Sequence, residues 1–401
     1  MSERIQILSI NSGSSSIKFA LFACDTRQEE EQLVGAVERI GQSAGRIWLE
    51  QGSQRVLDRI QAFPNQAAAL QAVVHALSEV GVQHPDGIGH RIVAGGPQQR
   101  QHVRIDAQVL ADLRKALPFA PLHLPAEIAV IEAIQQLWPD KGQVACLDTA
   151  FHGSIPELAA RLPLPRNLWQ EGVRKYGFHG LSYEYIVSRL PDQGKAPTII
   201  AHLGNGASMA AVAHGRCMDT TMGLTPTGGL VMGTRSGDLD PGILLYLMAE
   251  KGYTAVQLER LLNHLSGLLG VSASSGDMQI LLQQRAENPH AEQAIDIFAY
   301  SARKYLGSLM AVLGEVQRLV FTGGIGEHAA AVRWAICRPL EALGFRLDPE
   351  KNAAPSQEAR CISRAESPIE VLVIPTDEDR MIARHTHRLL GMTHLPATHS
   401  P

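Results

Sequence analysis

Two short stretches, about two hundred residues apart, follow the same pattern. Residues 6–22, QILSINSGSSSIKFALF, set an apolar run before a Gly/Ser turn and a second run after it, with Ile17, Phe19 and Leu21 at period two. That is the pattern of one buried strand turning into another. Residues 198–213, TIIAHLGNGASMAAVA, repeat it, with Gly204, Asn205, Gly206, Ala207 and Ser208 in the places of Asn11, Ser12, Gly13, Ser14 and Ser15. One such hairpin in each half predicts an internally duplicated chain of two similar domains. A positive φ at Gly13 would gather successive backbone N–H groups into one concavity, and the serine hydroxyls add donors, so each turn is a phosphate-loop candidate. Two of them predict paired domains that clasp a polyphosphate. The first turn is not the G-x-x-x-x-G-K-[ST] loop, because it enters a β-branched and aromatic strand instead of a helix. Taken by itself, it is equally satisfied by an ordinary serine-rich hairpin.

The chain's 401 residues exceed one ordinary core and fit two domains. Hydrophobic residues at 45% can fill those cores, which excludes a disordered chain. A net charge of −4 without a long basic run lacks the footprint of a nucleic-acid binder. The cysteines, Cys24, Cys146, Cys217, Cys337 and Cys361, are scattered without a C-x-x-C, so neither a disulfide framework nor a zinc site follows. No signal-peptide pattern opens the chain and no apolar run reaches the roughly 18 residues of a membrane span, so a soluble cytoplasmic protein is expected. His385 and His387 lie in a charged helical segment, where solvated or capping roles are expected ahead of metal binding.

Helices are predicted over 66–80, 106–117, 125–138, 243–266, 291–316 and 379–391 from apolar spacing and end signals. In the fifth, Ala294, Ile297, Phe298, Tyr305, Leu306, Leu309 and Leu313 form one stripe that reads as core. QVACLDTAFH is a strand with a polar end, which places Asp148 at a strand terminus, where open sheets hold ligands. Residues 153–173, marked by Pro156, Pro163 and Pro165, are the expected crossover between domains. The long Gly/Thr-rich loop TTMGLTPTGGLVMGTRSGDLDPG has the length of a functional loop. RLVFTGGIGEHAAAVRWAI reads as strand, Gly-rich turn and helix, an arrangement that lets backbone approach a nucleotide. The tail 393–401 should be frayed.

Eight segments, LSINSGSSSIK at 8–18, GHRIVAGG at 89–96, CLDTAFH at 146–152, RKYGFHG at 174–180, AHLGNGAS at 201–208, MGTRSGDLDPG at 232–242, FTGGIGE at 321–327 and IPTDE at 374–378, together resemble the acetate kinases. Propionate kinases are close relatives. The resemblance runs in family order over nearly the whole chain. It implies an α/β, duplicated actin-like or sugar-kinase-like ATPase fold, two similar domains with a nucleotide cleft between them. The first domain is then 1–150, with a C-terminal helix 381–401 packing back on it, and the second, nucleotide-binding domain is 151–380. The implied protein is a cytoplasmic homodimer that moves the γ-phosphoryl group of ATP to the carboxylate of acetate, reversibly, giving acetyl phosphate and ADP. Its implied cofactor is Mg²⁺, with Mn²⁺ as a substitute, and neither nucleic acid nor membrane is a partner.

By the same resemblance Asp148, His179 and Arg235 are catalytic, and His123 is a weaker candidate. Arg91 binds the substrate carboxylate, Val93, Leu122, Phe178 and Pro226 line the space for the acetate methyl, and Asn11 and Glu378 hold the metal. Lys18, His202, Leu203, Gly204, Asn205, Gly206, Asp277, Met278, Gln279, Gly323, Gly324, Ile325, Gly326 and Glu327 align with ATP contacts. The chemistry suits these roles: phosphoryl transfer needs positioning and charge neutralisation, which planar arginine forks provide. Magnesium takes few protein oxygens. Acetate, with a pKa near about 4.3, is already ionised at neutral pH, so Asp148 is expected to orient Arg91 or a magnesium-bound water, not to act as a base. Ala94, Leu124, Gly228, Gln279 and His328 depart from the usual pattern; Gln279 removes a guanidinium from beside the adenine. The alternatives are a propionate kinase, a sugar kinase of the same architecture, and an actin-like ATP-dependent switch that phosphorylates no small acid.

Overall fold

The computed structural model describes residues 4–13, 15–25 and 28–391. Ser14 of the first turn, the 392–401 part of the expected C-terminal helix and the expected frayed tail lie outside the described residues. The chain divides into two compact units, one running to Ala150 and resuming at Asp377, the other from Phe151 to Thr376. Residues 377–380 therefore group with the first unit, not with the expected 151–380 domain. The local reason is that the Asp377 carboxylate accepts the Arg380 N–H (2.9 Å) at the start of the helix Glu378–Gly391.

The first unit contains strands β1 (Ile5–Ser12), β2 (Ser16–Cys24), β3 (Glu29–Glu38), β4 (Gly45–Gln51), β5 (Gln54–Gln61), β6 (Gly87–Ile92), β7 (Val103–Arg104) and β8 (Gly142–Leu147). They form one sheet in the order β5-β4-β3-β2-β1-β6-β8-β7. Side chains alternate across β1: Leu8 and Ile10 enter a core with Val73, Leu77 and Ile134, while Ile7 enters another with Phe22 and Ala383. Each of the Val, Leu, Ile and Phe side chains among them contributes about 1.5–3 kcal/mol on burial. The first core is covered by the helices Gln66–Glu79 and Leu124–Leu137, the second by Glu378–Gly391. That last helix lies close because Gly87, Gly89 and Gly142 lack side chains; a Cβ at Gly142 would stand 2.6 Å from Leu390 Cδ2.

The second unit contains β9 (Thr198–Leu203), β10 (Ala207–Ala213), β11 (Arg216–Thr220), β12 (Arg318–Thr322), β13 (Arg360–Cys361) and β14 (Glu370–Val373), in the order β11-β10-β9-β12-β14-β13. Set β3-β2-β1-β6-β8 beside β11-β10-β9-β12-β14 and every pairing has the same sense: antiparallel, antiparallel, parallel, parallel. The duplication suggested by the hairpins is thus a repeated five-strand core.

Several local expectations change. Gly13 does not take a positive φ; its N–H instead donates to Ser16 O (2.8 Å), closing the turn. The 243–266 helix is two helices, Pro241–Lys251 and Ala255–His264, because Gly252 turns left-handed (φ 69°) and Thr254 with Gln257 forms a capping box for the second. In the helix Pro289–Leu313, Ile295 takes the buried position and Ile297 is exposed. The helix Gly323–His328 starts directly from β12 without an intervening turn. His385 is buried, not solvated, its ring stacked 3.9 Å from that of His102.

Candidate active site

In the first unit, three strand ends and the start of the helix Glu378–Gly391 bring four expected residues together. Arg91 on β6 points its Nε at Asp148 Oδ1 (3.2 Å) and Oδ2 (3.1 Å), and its Nη2 at Oδ2 (2.6 Å). Its Nη1 donates to Asn11 Oδ1 on β1 (3.2 Å), and Glu378 Oε2 stands 3.7 Å from Nε. Asp148 follows β8 directly and is 1% exposed. Burial opposes the Arg91 charge, but Asp148 and then Glu378 outweigh it and hold the guanidinium above its ordinary value. Asn11 and Glu378 present an amide and a carboxylate oxygen, the hard donor type that magnesium selects. Lys18 pairs with Asn11 across the hairpin and its side chain is exposed. Val93 is buried, and Leu122 and His123 are half-buried.

Glu127 went unread in the sequence. It sits 2% exposed on the helix Leu124–Leu137, and its two oxygens accept the Val93 N–H at 3.3 and 3.2 Å. Burial, against the pull of that bond and of Arg91, pushes its carboxyl up to about 8. An acid in the first turn of a helix reads as a dipole partner, and only the fold shows it facing inward.

In the second unit the β9–β10 turn closes by Gly204 N–H donating to Gly206 O (3.0 Å). His179, in the left-handed region at φ 60°, precedes the helix Gly180–Arg189. A non-glycine residue there is strained, and tertiary contacts hold it. Its Nδ1 lies 2.8 Å from Ser208 Oγ on β10, and its ring stacks 4.3 Å from that of His202. A Cβ at Gly206 would meet His179 Nε2 at 3.3 Å and Arg235 Nη1 at 3.7 Å, so the two donors converge over the turn. Arg235 Nη1 also donates to Pro226 O (3.2 Å), and Gly233 N–H to Asn205 O (2.9 Å) ties the arginine's loop to the turn. Gly267 (φ 62°) packs where any Cβ would strike the Arg235 carbonyl, 2.6 Å away. Phe178 is buried, and its carbonyl accepts from His152 Nε2 (2.9 Å). Burial pushes His152 down to about 4, which keeps that ring neutral.

Beside this turn lies a cavity of about 990 Å³, lined by Gly204, Asn205, Gly276, Asp277, Met278, Gln279, Leu282, Gln283, Gly324, Ile325, His328 and Ala329. It is of nucleotide size, with apolar walls and a few amides. Of the expected ATP contacts in this unit, Gly204, Asn205, Asp277 to Gln279, Gly324 and Ile325 line it; Leu203 and Gly326 are buried outside it. His202, Gly206 and Gly323 border the turn without lining the cavity. Glu327 braces backbone instead, its Oε1 accepting from Gly323 N–H (2.8 Å) and Thr376 N–H (3.2 Å). Leu282 and Gln283 were missed, although they fall one helical turn beyond Met278 and Gln279. Arg333, 1% exposed, donates to Gly326 O (2.8 Å), Glu327 O (2.9 Å), Asn352 Oδ1 (2.8 Å) and Asn352 O (2.6 Å), so one guanidinium caps the last carbonyls of the Gly323–His328 helix.

Residues 6–384 match the model of the acetokinase family. The acetate kinase of Rhodopseudomonas palustris is 45% identical over 392 residues, which covers 96% of this chain and 98% of that protein. Porphyromonas gingivalis acetate kinase has a solved structure that matches with a TM-score of 0.87 at 36% identity, over 96% of this chain and 100% of that one. A propionate kinase from Francisella tularensis matches with a TM-score of 0.90 at 37% identity, over the same shares.

Proposed function

The chain belongs to the acetokinase family, and from that premise we infer that it transfers the γ-phosphoryl group of ATP to a carboxylate oxygen of acetate, reversibly, giving acetyl phosphate and ADP. The observation that carries this reading is the convergence of His179 Nε2 and Arg235 Nη1 over Gly206, beside a cavity of nucleotide size. Adenosine lies against Met278, Leu282 and Ile325, and the phosphates run toward the Gly204–Gly206 turn. Arg235 and His179 then donate to the equatorial oxygens of the transferring group, where charge stabilisation matters most. Arg91 receives the acetate carboxylate. Asp148 accepts three hydrogen bonds from Arg91 and fixes the plane of that fork; its substrate arrives ionised, so it has no proton to remove. Magnesium, bound with the nucleotide, would be held by Asn11 and Glu378 and would neutralise phosphate charge.

The enzyme works in the cytoplasm, where ATP is available, and as a homodimer. Supporting the second point, the helix Pro241–Lys251 has no buried residue, and Leu245, Tyr246 and Met248 are each about half exposed or more. Among the described residues no helix is long and apolar enough to cross a membrane.

A propionate kinase is the second reading, favoured by Ala94, small and buried beside Val93. An ADP-release assay across acetate, propionate, butyrate and glycerol separates the readings. Acetate should exceed propionate in kcat/KM by roughly 10- to 200-fold, the cost of forcing one methylene into a shallow apolar wall. Equal or higher values for propionate would move the assignment to that acid; turnover of glycerol alone, or of none, would point to a hydroxyl kinase or an ATP switch.

A further inference from the structure

We propose that Ser208 and Tyr183, with Ser182 and Thr376 in parallel, are positioning residues that fix stacked His179 and His202 as neutral Nε2–H imidazoles aimed at the Gly204–Gly206 turn. The direction of each hydrogen bond follows from counting buried hydrogens, which is how a tautomer is assigned. The Tyr183 hydroxyl is fully buried, and among the described residues its hydrogen-bond partner is Ser208 Oγ, at 2.5 Å. Burial also pushes the phenol up, so it keeps its proton. Ser208, itself fully buried, has two side-chain partners among the described residues, Tyr183 and His179 Nδ1 (2.8 Å). If Nδ1 carried a hydrogen, three hydrogens would share two contacts and one buried donor would be stranded, a costly arrangement. The satisfied order is Tyr183 O–H to Ser208, then Ser208 O–H to Nδ1, which leaves the ring hydrogen on Nε2.

The neighbouring ring repeats the device. Thr376 Oγ1 donates to Ser182 Oγ (2.8 Å), and the buried Ser182 hydroxyl then gives its hydrogen to His202 Nδ1 (2.8 Å). His202 Nε2 would lie 3.8 Å from a Cβ at Gly204, as His179 Nε2 would lie 3.3 Å from one at Gly206. The rings are 4.3 Å apart and 22° from parallel. At that spacing two imidazolium charges would repel, and two neutral rings can both donate. The tautomers stand on this geometry alone; their use in phosphoryl transfer rests on the acetate kinase reading.

The test is a two-bond ¹H–¹⁵N correlation spectrum of the full-length protein with labelled histidine at neutral pH, assigned with His179→Gln and His202→Gln. Both rings should show the hydrogen on Nε2 and a bare Nδ1. Tyr183→Phe should keep the His179 tautomer, because the Ser208 hydrogen still has only Nδ1 to go to. The double variant Ser208→Ala, Tyr183→Phe strands no donor; it should mix the His179 tautomers and lower kcat by roughly tenfold or more with KM for acetate little changed. A hydrogen on Nδ1 in the unaltered protein, or a double variant with native kcat, would overturn the inference. Failure of acetate phosphorylation in every protein would instead count against the proposed function, and the spectra would stand.

Discussion

Arg235 carries the largest single demand of the proposed reaction, since it brings a full positive charge to the Gly206 turn beside the neutral His179. Arg235→Ala should lower kcat by about 10³ or more, equal to about 4 kcal/mol of barrier, the range for arginines that act on a transferring phosphoryl group. Unchanged circular dichroism with a loss below about tenfold would make the residue structural. Glu127 supports a prediction of another kind. Its carboxyl is raised from 4.5 to about 8, so the folded chain holds a proton that the unfolded chain has already released. That contribution to stability is complete below about 4.5 and is lost as pH rises to about 8. The slope approaches ~1.4 kcal/mol per pH unit for one proton. Urea midpoints of Glu127→Gln should lack this decline; parallel pH profiles for the two proteins would refute the assignment. Arg91 and Arg235 stood out as candidates because each lies in a glycine-flanked segment, and His179 through the family resemblance alone. Glu127, Ser208 and Tyr183 were not, because burial and hydroxyl partnership depend on chain far away in sequence.

At the scale of elements, both hairpins were legible in period-two apolar positions around a small-residue turn, and the equal sense of their pairings follows from that repetition. The break at Gly252 was also written in the sequence, as Gly-Tyr-Thr with Gln257 three residues on, but the apolar spacing continued through it and masked the stop. Arg333 left no such sign. In an amphipathic helix an arginine reads as solvated, and its acceptors lie six to nineteen residues away on two other elements. Because it caps the Gly323–His328 helix, which supplies Gly324 and Ile325 to the cavity, its loss should be felt by the nucleotide. Arg333→Lys keeps the charge but not the fork. KM for ATP should rise roughly tenfold, about 1.4 kcal/mol, while KM for acetate stays unchanged. A fall in melting temperature with native KM values would leave Arg333 a stability residue only.

For the molecule as a whole, the exposed apolar face of the helix Pro241–Lys251 is a surface that a second copy of the chain would cover. Sedimentation should find a dimer, and Leu245→Glu with Tyr246→Glu should yield monomers. Each lost apolar anchor costs about 2 kcal/mol, roughly 30-fold in dissociation constant. A variant that sediments as the native protein does would place the contact elsewhere.

The first unit is interrupted in sequence, and this sets an order of birth. Its helix Glu378–Gly391 is the last described element, yet it packs on β1, β6 and β8. A growing chain therefore emerges with the groove over Gly87, Gly89 and Gly142 still empty, and all of the second unit, contiguous from Phe151 to Thr376, leaves the ribosome before the filler arrives. The half that is translated first is the half that finishes last, and a chain stopped short of Glu378 would retain an open apolar groove that only its missing end was shaped to fill.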